Sequence, residues 1–354
     1  MTRTVLHDAA LADGSSDSLR LGVSVAIAEG KIEAIAANDE VDRTGATVID
    51  AGGAVIVPGM VDCHSHLVLQ GGSHWILRGG DPPGVLRQVA RENARRLVQA
   101  GVLWARDVGA PSAAGRPISL DVRDELSGKL GNPCIRVAGT WIGKTGYPEM
   151  WVTTDDGGLE AAALHQLDLG TDLVKIYMDA PGGVTESPFG VAAMKRMTDA
   201  VHARGARVAC HSGYLDGARV AAAAGVDSIE HGMELDDDVA RTMKQNGVTL
   251  TSTLSVFASW ETFARTTAID RFTTSESAQR IAKRKEGAYA AVAAAKRAGV
   301  RIATGSDFGG GSVRAGHLAW EAELLVGAGL TPREALVAAT RAGGELIGDE
   351  HAGR

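Results

Sequence analysis

Apolar positions along the chain fall into two patterns that change near residue 57. Before that point, short β-type stretches alternate with turns: VSVAIAEGKIEAIAA (23–37) reads as a hairpin around Glu29-Gly30, and ATVIDAGGAVIVPG (46–59) as a second strand pair with a Gly-Gly turn. From residue 56 onward, apolar runs become continuous and recur between helical stretches such as GVLRQVARENARRLVQA and KRKEGAYAAVAAAKRA. Eight such runs read as strands: VIVPGMVDCH, VLWARD, CIRVAG, DLVKIY, ARVACH, VDSIEH, VTLTST and VRIATGSD. Continuous rather than alternating runs imply a sheet covered on both faces. Five junctions carry a glycine between a helical stretch and the next run, at Gly101, Gly205, Gly225, Gly247 and Gly299, where a left-handed cap ends the helix.

Eight strands alternating with helices predict an α/β protein built on a (β/α)8 TIM-type barrel over residues 58–354, preceded by a small β domain over residues 1–57. A doubly wound open sheet is the competing architecture. It would place a Gly-rich phosphate loop after its first strand, and DCHSHLVLQGG fits that pattern poorly.

Composition narrows the class. The chain has 354 residues, a formal net charge of -7 and no basic run, which argues against nucleic acid or an anionic membrane as partner. It shows neither a signal-type apolar core nor a spanning segment, and its three cysteines, Cys63, Cys134 and Cys210, are too few and scattered for a disulfide framework. A cytoplasmic location and a small-molecule substrate are the expectations.

Barrel chemistry collects at the C-terminal ends of the strands. Strand 1 ends at His64 and His66, two residues apart and therefore on one face, while strand 4 carries Lys175, strand 5 ends at His211, strand 6 at His231 and strand 8 at Asp307. Taken singly, each histidine reads as a hydrogen-bonded structural residue, Lys175 as a snorkelling amine and Asp307 as a helix cap. Their convergence on one end of one barrel points to a metal site, since neutral imidazole and carboxylate are good ligands for zinc and similar divalent ions. Lys175 is the awkward member. Desolvation would lower its pKa, and a neutral amine can react with carbon dioxide to give a carbamate, which is a bridging carboxylate.

The ordered set VPGMVDCHSH, LVKIY, VACHS, SIEHG and IATGSD resembles the metal-dependent amidohydrolase superfamily in its binuclear branch, and LVKIYMDAPGGV and DSIEHGMEL look like its imidazolonepropionase-related and prolidase-like members. The resemblance implies two divalent metal ions, zinc foremost, bridged by carboxylated Lys175. His64 and His66 would bind the first ion and His211 and His231 the second. Asp307 would bind the first and act as general base and proton shuttle while metal-bound hydroxide attacks the amide carbonyl. Asp62, of the same strand parity as the histidines, is a candidate orienter.

Two departures stand out. Family members continue past TPREALVAATRAGGELIG into strands that complete a β-sandwich with the N-terminal layer, so that layer is expected to be incomplete here. GKTGYPEM places Tyr147 where relatives commonly carry a histidine, so dipeptide specificity is not inherited directly.

The function expected is hydrolysis of an amide-type C–N bond in a dipeptide, N-acyl amino acid or cyclic amide. Trp75, Arg78, Trp141, Tyr147, Trp151 and Tyr214 are candidate substrate contacts. Two other readings stand beside it: a mononuclear deaminase or imidazolonepropionase-like ring hydrolase, against which Lys175 counts, and an inactive family member acting as a binding protein. By resemblance alone, a homo-oligomer is one expectation.

Overall fold

The computed structural model describes residues 3–147 and 150–354. All eight predicted runs form parallel strands: Met60–Ser65, Val102–Asp107, Cys134–Val137, Leu173–Tyr177, Arg207–Ser212, Ser228–His231, Thr249–Ser252 and Ile302–Thr304. They pair in chain order as two sheets. One holds strands 1 to 3, and the other holds strands 4 to 8 with two short added strands, Ile142–Lys144 and Val152–Thr154. Hydrogen bonds stitch both seams of the barrel. Asp307 N donates to His64 O at 2.7 Å and His66 N to Phe308 O at 3.1 Å between strands 8 and 1. Between strands 3 and 4, Asp172 N donates to Val137 O at 2.9 Å while the Asp172 carboxylate accepts from Val137 N at 2.9 Å.

Strand alternation decides which residues reach the interior. Val174 and Ile176 of strand 4, Val208 and Cys210 of strand 5, and Ile229 of strand 6 pack outward against helices in the largest core cluster. Val61 and Cys63 of strand 1 pack outward against Ala303, Leu346 and Ala352. The intervening positions, including His64, Lys175, His211 and Glu230, face inward. The five junction glycines all have φ between 70° and 79°, the left-handed caps expected of them. All three cysteines are free.

The N-terminal segment forms one five-stranded sheet in which Thr4–Leu11 is central. The hairpin at Glu29-Gly30 is present, with both residues at positive φ, 52° and 75°. The 46–59 segment departs from the strand pair expected. Thr47–Asp50 and Val55–Ile56 do not pair with each other; both run parallel to Thr4–Leu11, and the Gly52-Gly53 turn is a bulge in one edge opposite Asp8. The reason is that Thr4–Leu11 offers a free edge long enough to take both pieces. Apolar side chains of this segment stand in solvent: Leu21 is 75% and Ile32 61% exposed, and Val48, Ile49 and Val55 are also exposed. No helix among the described residues is long and apolar enough to cross a membrane.

Candidate metal centre

His64 and His66 leave strand 1 at its C-terminal end, and Asp307 follows strand 8, which the seam hydrogen bonds hold beside it. The ligand atoms of these three residues lie within 4.8 Å of one another. Asp307 Oδ1 is 3.5 Å from His64 Nε2 and 3.3 Å from His66 Nε2. Asp307 has φ 49°, a left-handed conformation that costs an aspartate energy and aims its carboxylate at the two rings. Gly310 and Gly311 wrap this group; a Cβ on Gly310 would lie 2.6 Å from His66 Nε2 and 2.9 Å from Asp307 Oδ1.

The other two histidines continue the cluster. Ring centroids are 4.6 Å apart for His64 and His231, and 4.7 Å apart for His231 and His211. His231 reaches this position against the strand alternation: its neighbour Ile229 faces outward, and a φ of 69° at His231 turns its side chain back into the mouth. His211 stacks on Tyr177 with centroids 4.2 Å apart.

Each ring is held by one nitrogen. His66 Nδ1 donates to Gly109 O at 2.8 Å and His64 Nδ1 to Glu230 Oε2 at 2.7 Å, so both rings turn Nε2 toward Asp307. His231 Nδ1 bonds the Thr253 hydroxyl at 2.7 Å. His211 is held the other way round: Nε2 donates to Asp179 Oδ2 at 3.2 Å, and Nδ1 is buried without a partner. Lys175 Nζ is likewise buried with no hydrogen-bond partner.

Electrostatics follow from burial. Desolvation pushes the Lys175 ammonium down to about 8 despite the pull of Glu230. Burial, reinforced by the Lys175 charge, holds His64 well below the ordinary histidine range, and burial with the neighbouring His211 does the same to His231. For His66, burial pulls down, but the hydrogen bond and charge of Asp307 outweigh it and raise the pKa. Two imidazoles kept neutral, a softened amine and a carboxylate are donors suited to a divalent cation.

Asp62 is buried but touches neither ring. Its carboxylate accepts from Ser306 Oγ at 2.6 Å, Ser306 N at 3.0 Å and His64 N at 3.2 Å, tying the backbones of strands 1 and 8. Burial pushes it up to about 7.

The candidate substrate contacts separate into two groups. Trp141, Trp151 and Tyr147 join Tyr177, which was not among the candidates, in a continuous aromatic wall from His66 to His211: Trp141 lies 5.7 Å from His66, Trp151 5.3 Å from Trp141 and 4.3 Å from Tyr177, and Tyr147 4.5 Å from Trp151. Tyr147 also donates its hydroxyl to Asp179 O at 2.9 Å. The next two residues of GKTGYPEM, Pro148 and Glu149, lie outside the described residues. Tyr214 lines a separate cavity of about 470 Å³ with Arg284 and Met233 beside the mouth. Trp75 packs with Trp260 and Phe272 beneath Arg271, and Arg78 pairs with Asp81 at 2.7 Å; none of these contacts involves the four histidines.

Three inward residues escaped the sequence reading: Glu230, Asp179 and Arg106, whose guanidinium meets Glu230 Oε1 at 2.7 Å. Alternation along SIEH, counted from the outward Ile229, was the available signal for Glu230.

A parallel barrel carrying a buried His-His-Asp group at the C-terminal ends of its first and last strands offers a divalent ion a ligand set at the barrel mouth. The Amidohydrolase family model matches residues 55–354, and the chain belongs to that family, whose members are hydrolases acting on C–N bonds. An uncharacterized protein of Mycobacterium tuberculosis (strain ATCC 25618 / H37Rv) is 31% identical over 302 residues, which is 83% of this chain and 74% of its own. Among solved structures, a putative prolidase from Bifidobacterium longum is similar with TM-score 0.80 and 25% identity over 98% of this chain and 84% of its own. A Xaa-Pro dipeptidase with methionine bound in its active site superposes with TM-score 0.82 and 24% identity, over 99% of this chain and 90% of its own.

Proposed function

We propose that this amidohydrolase is binuclear, holding two divalent ions, most suitably Zn²⁺, and that it cleaves the amide-type C–N bond of a small substrate. The observation that carries this reading is the pair of buried, unpartnered atoms, Lys175 Nζ and His211 Nδ1, in a ring of oriented imidazoles. A buried polar atom left without a partner costs free energy, and of the eight such side-chain atoms among the described residues these two are the amine and the imidazole nitrogen, the donor types a divalent ion takes. His64, His66 and Asp307 would hold one ion and His211 and His231 the other.

Lys175 would lie between them as a carbamate: its neutral amine adds to the carbon of CO₂ and releases one proton, leaving an N-linked carboxylate. A pKa lowered to about 8 makes the neutral amine far more abundant near neutrality than for an ordinary lysine. When bound, the ions supply Lewis acidity toward the substrate carbonyl and lower the pKa of coordinated water. Asp307, at the edge of the imidazole cluster, takes up the proton released during attack and returns it to the leaving amine. The aromatic wall shields one side of the mouth from water and offers flat apolar surface to the substrate.

The likeness to a Xaa-Pro dipeptidase and a putative prolidase supports dipeptides and N-acyl amino acids as the first substrates to try, with cyclic amides next. The test is hydrolysis of a panel of Xaa-Pro dipeptides, N-acetyl amino acids and hydantoins by Zn²⁺-loaded enzyme and by Asp307→Asn. Turnover of one class, lost in the variant while bound Zn²⁺ is retained, is expected. Equal turnover by both proteins, or none on any amide, contradicts the proposal.

A further inference from the structure

Glu230 sits inside the barrel with no exposed surface, and its two carboxylate oxygens have different occupations. Oε1 takes three donors: Arg106 Nη2 at 2.7 Å, the Ser228 hydroxyl and, at 3.5 Å, Thr251 Oγ1. Oε2 has one partner, His64 Nδ1, at 2.7 Å. An arginine and a carboxylate left to themselves favour the bidentate fork, two parallel hydrogen bonds using both oxygens. Here the fork is not made. Arg106 spends its remaining donors on Ser228 Oγ at 3.0 Å, Thr251 Oγ1 at 3.3 Å and Cys63 O, the carbonyl directly before His64. The guanidinium thus fixes both the carboxylate and the strand that carries the imidazole.

We infer that Glu230, anchored by Arg106, is a positioning residue that fixes His64 as the Nδ1–H tautomer and thereby aims its Nε2 lone pair at the metal position beside Asp307. The inference rests on the metal reading above. Carboxylates and carbonyls that accept from the outer nitrogen of a ligating histidine set its tautomer and ring angle, and removing them typically costs ~10–100-fold in metal affinity. Gly109 O performs this service for His66 through a backbone carbonyl, which no substitution removes. At His64 it is performed by a side chain, so it is open to test.

Glu230→Gln is the informative variant. Arg106 is a donor only, so it holds the amide oxygen and turns the amide –NH₂ toward His64. Nδ1 then becomes an acceptor, the proton moves to Nε2, and the lone pair meant for the metal is lost with almost no change in volume.

The experiment measures two quantities on the full chain: the His64 tautomer by ¹⁵N NMR of metal-free protein, and Zn²⁺ affinity by competition with a chromophoric chelator. Expected are Nδ1–H in the wild type, Nε2–H in E230Q, and Zn²⁺ binding weakened ~10–100-fold. If E230Q does not fold, Arg106→Met with Glu230→Met removes the pair together, a replacement that buried ion pairs often tolerate. The double variant is expected to lose the fixed tautomer and to bind Zn²⁺ more weakly to the same degree. A role in stability alone would move the melting temperature of either variant but neither readout. Wild-type Zn²⁺ affinity in the folded variant, or persistence of Nδ1–H in E230Q, overturns the inference and leaves the metal reading intact. Wild type that shows Nδ1–H but takes up no Zn²⁺ overturns the metal reading, and with it the purpose assigned to Glu230.

Discussion

Asp307 illustrates how a single residue is prepared for chemistry. Its left-handed φ, its two imidazole neighbours and the glycines packed against its carboxylate leave it one orientation. Asp307→Asn keeps the shape and removes the base, so kcat on any substrate found should fall ~10²–10⁴-fold. Gly310→Ala should act through geometry instead: the added methyl enters the space of His66 and Asp307, so bound metal is expected to drop while melting of the metal-free protein changes far less. Equal metal content in Gly310→Ala and wild type, measured by mass spectrometry, would mean that the loop yields and the fit is not tight. Lys175 sets a pH dependence. Its amine is held down to about 8, so the neutral form grows as pH rises through that value. Uptake of ¹³C-labelled bicarbonate into a carbamate during Zn²⁺ loading should therefore increase between pH 7 and pH 9; a flat profile speaks against amine capture.

Between strands, buried carboxylates act as clamps. Asp107 ends strand 2, where its carboxylate accepts from Leu67 N at 2.7 Å and Gly109 N at 3.0 Å, and burial pushes it up from 3.8 to about 6. A raised folded-state pKa means that the stability it contributes is present below pH 4 and is lost as pH climbs through about 6. Two pKa units correspond to about 3 kcal/mol. Metal-free Asp107→Asn should consequently show a flatter melting temperature between pH 4 and pH 7 than wild type, and an unchanged slope would argue that Asp107 stays ionised throughout. The same elements show what was legible in the sequence. Apolar runs closing on an ionisable residue identified strands 1, 4, 5, 6 and 8 and brought His64, His66, Lys175, His211, His231 and Asp307 to one place. Glu230 stayed hidden because His231 looked like the parity reference for strand 6. It is not, since its positive φ breaks the alternation. Arg106 and Asp179 were missed for a different reason: nothing local in VLWARD or after LVKIYM marks them, and their partners lie 124 and 32 residues away in sequence.

At the scale of the molecule, barrel and N-terminal sheet differ in how completely they bury their apolar residues. The barrel carries continuous cores on its outer face, whereas Leu21, Ile32, Val48, Ile49 and Val55 of the sheet stand in solvent. Leu21→Lys with Ile32→Lys should shift stability by no more than about 0.5 kcal/mol and reduce self-association in light scattering; a large loss of stability would show that these side chains are covered in solution. The rhythm of eight strands was readable because the apolar runs are continuous and five of them follow a glycine-capped helix, while the edge pairing of residues 47–56 was not, because a parallel edge depends on a distant partner. The proposed binuclear centre depends on Lys175 as the bridge between two ions, and the most direct measurement is metal stoichiometry by mass spectrometry. Wild type and Lys175→Ala would be purified without chelator and supplied with Zn²⁺ and bicarbonate. Two ions per chain in the wild type, falling in the variant, is the predicted result. One ion in both proteins would contradict the bridged centre.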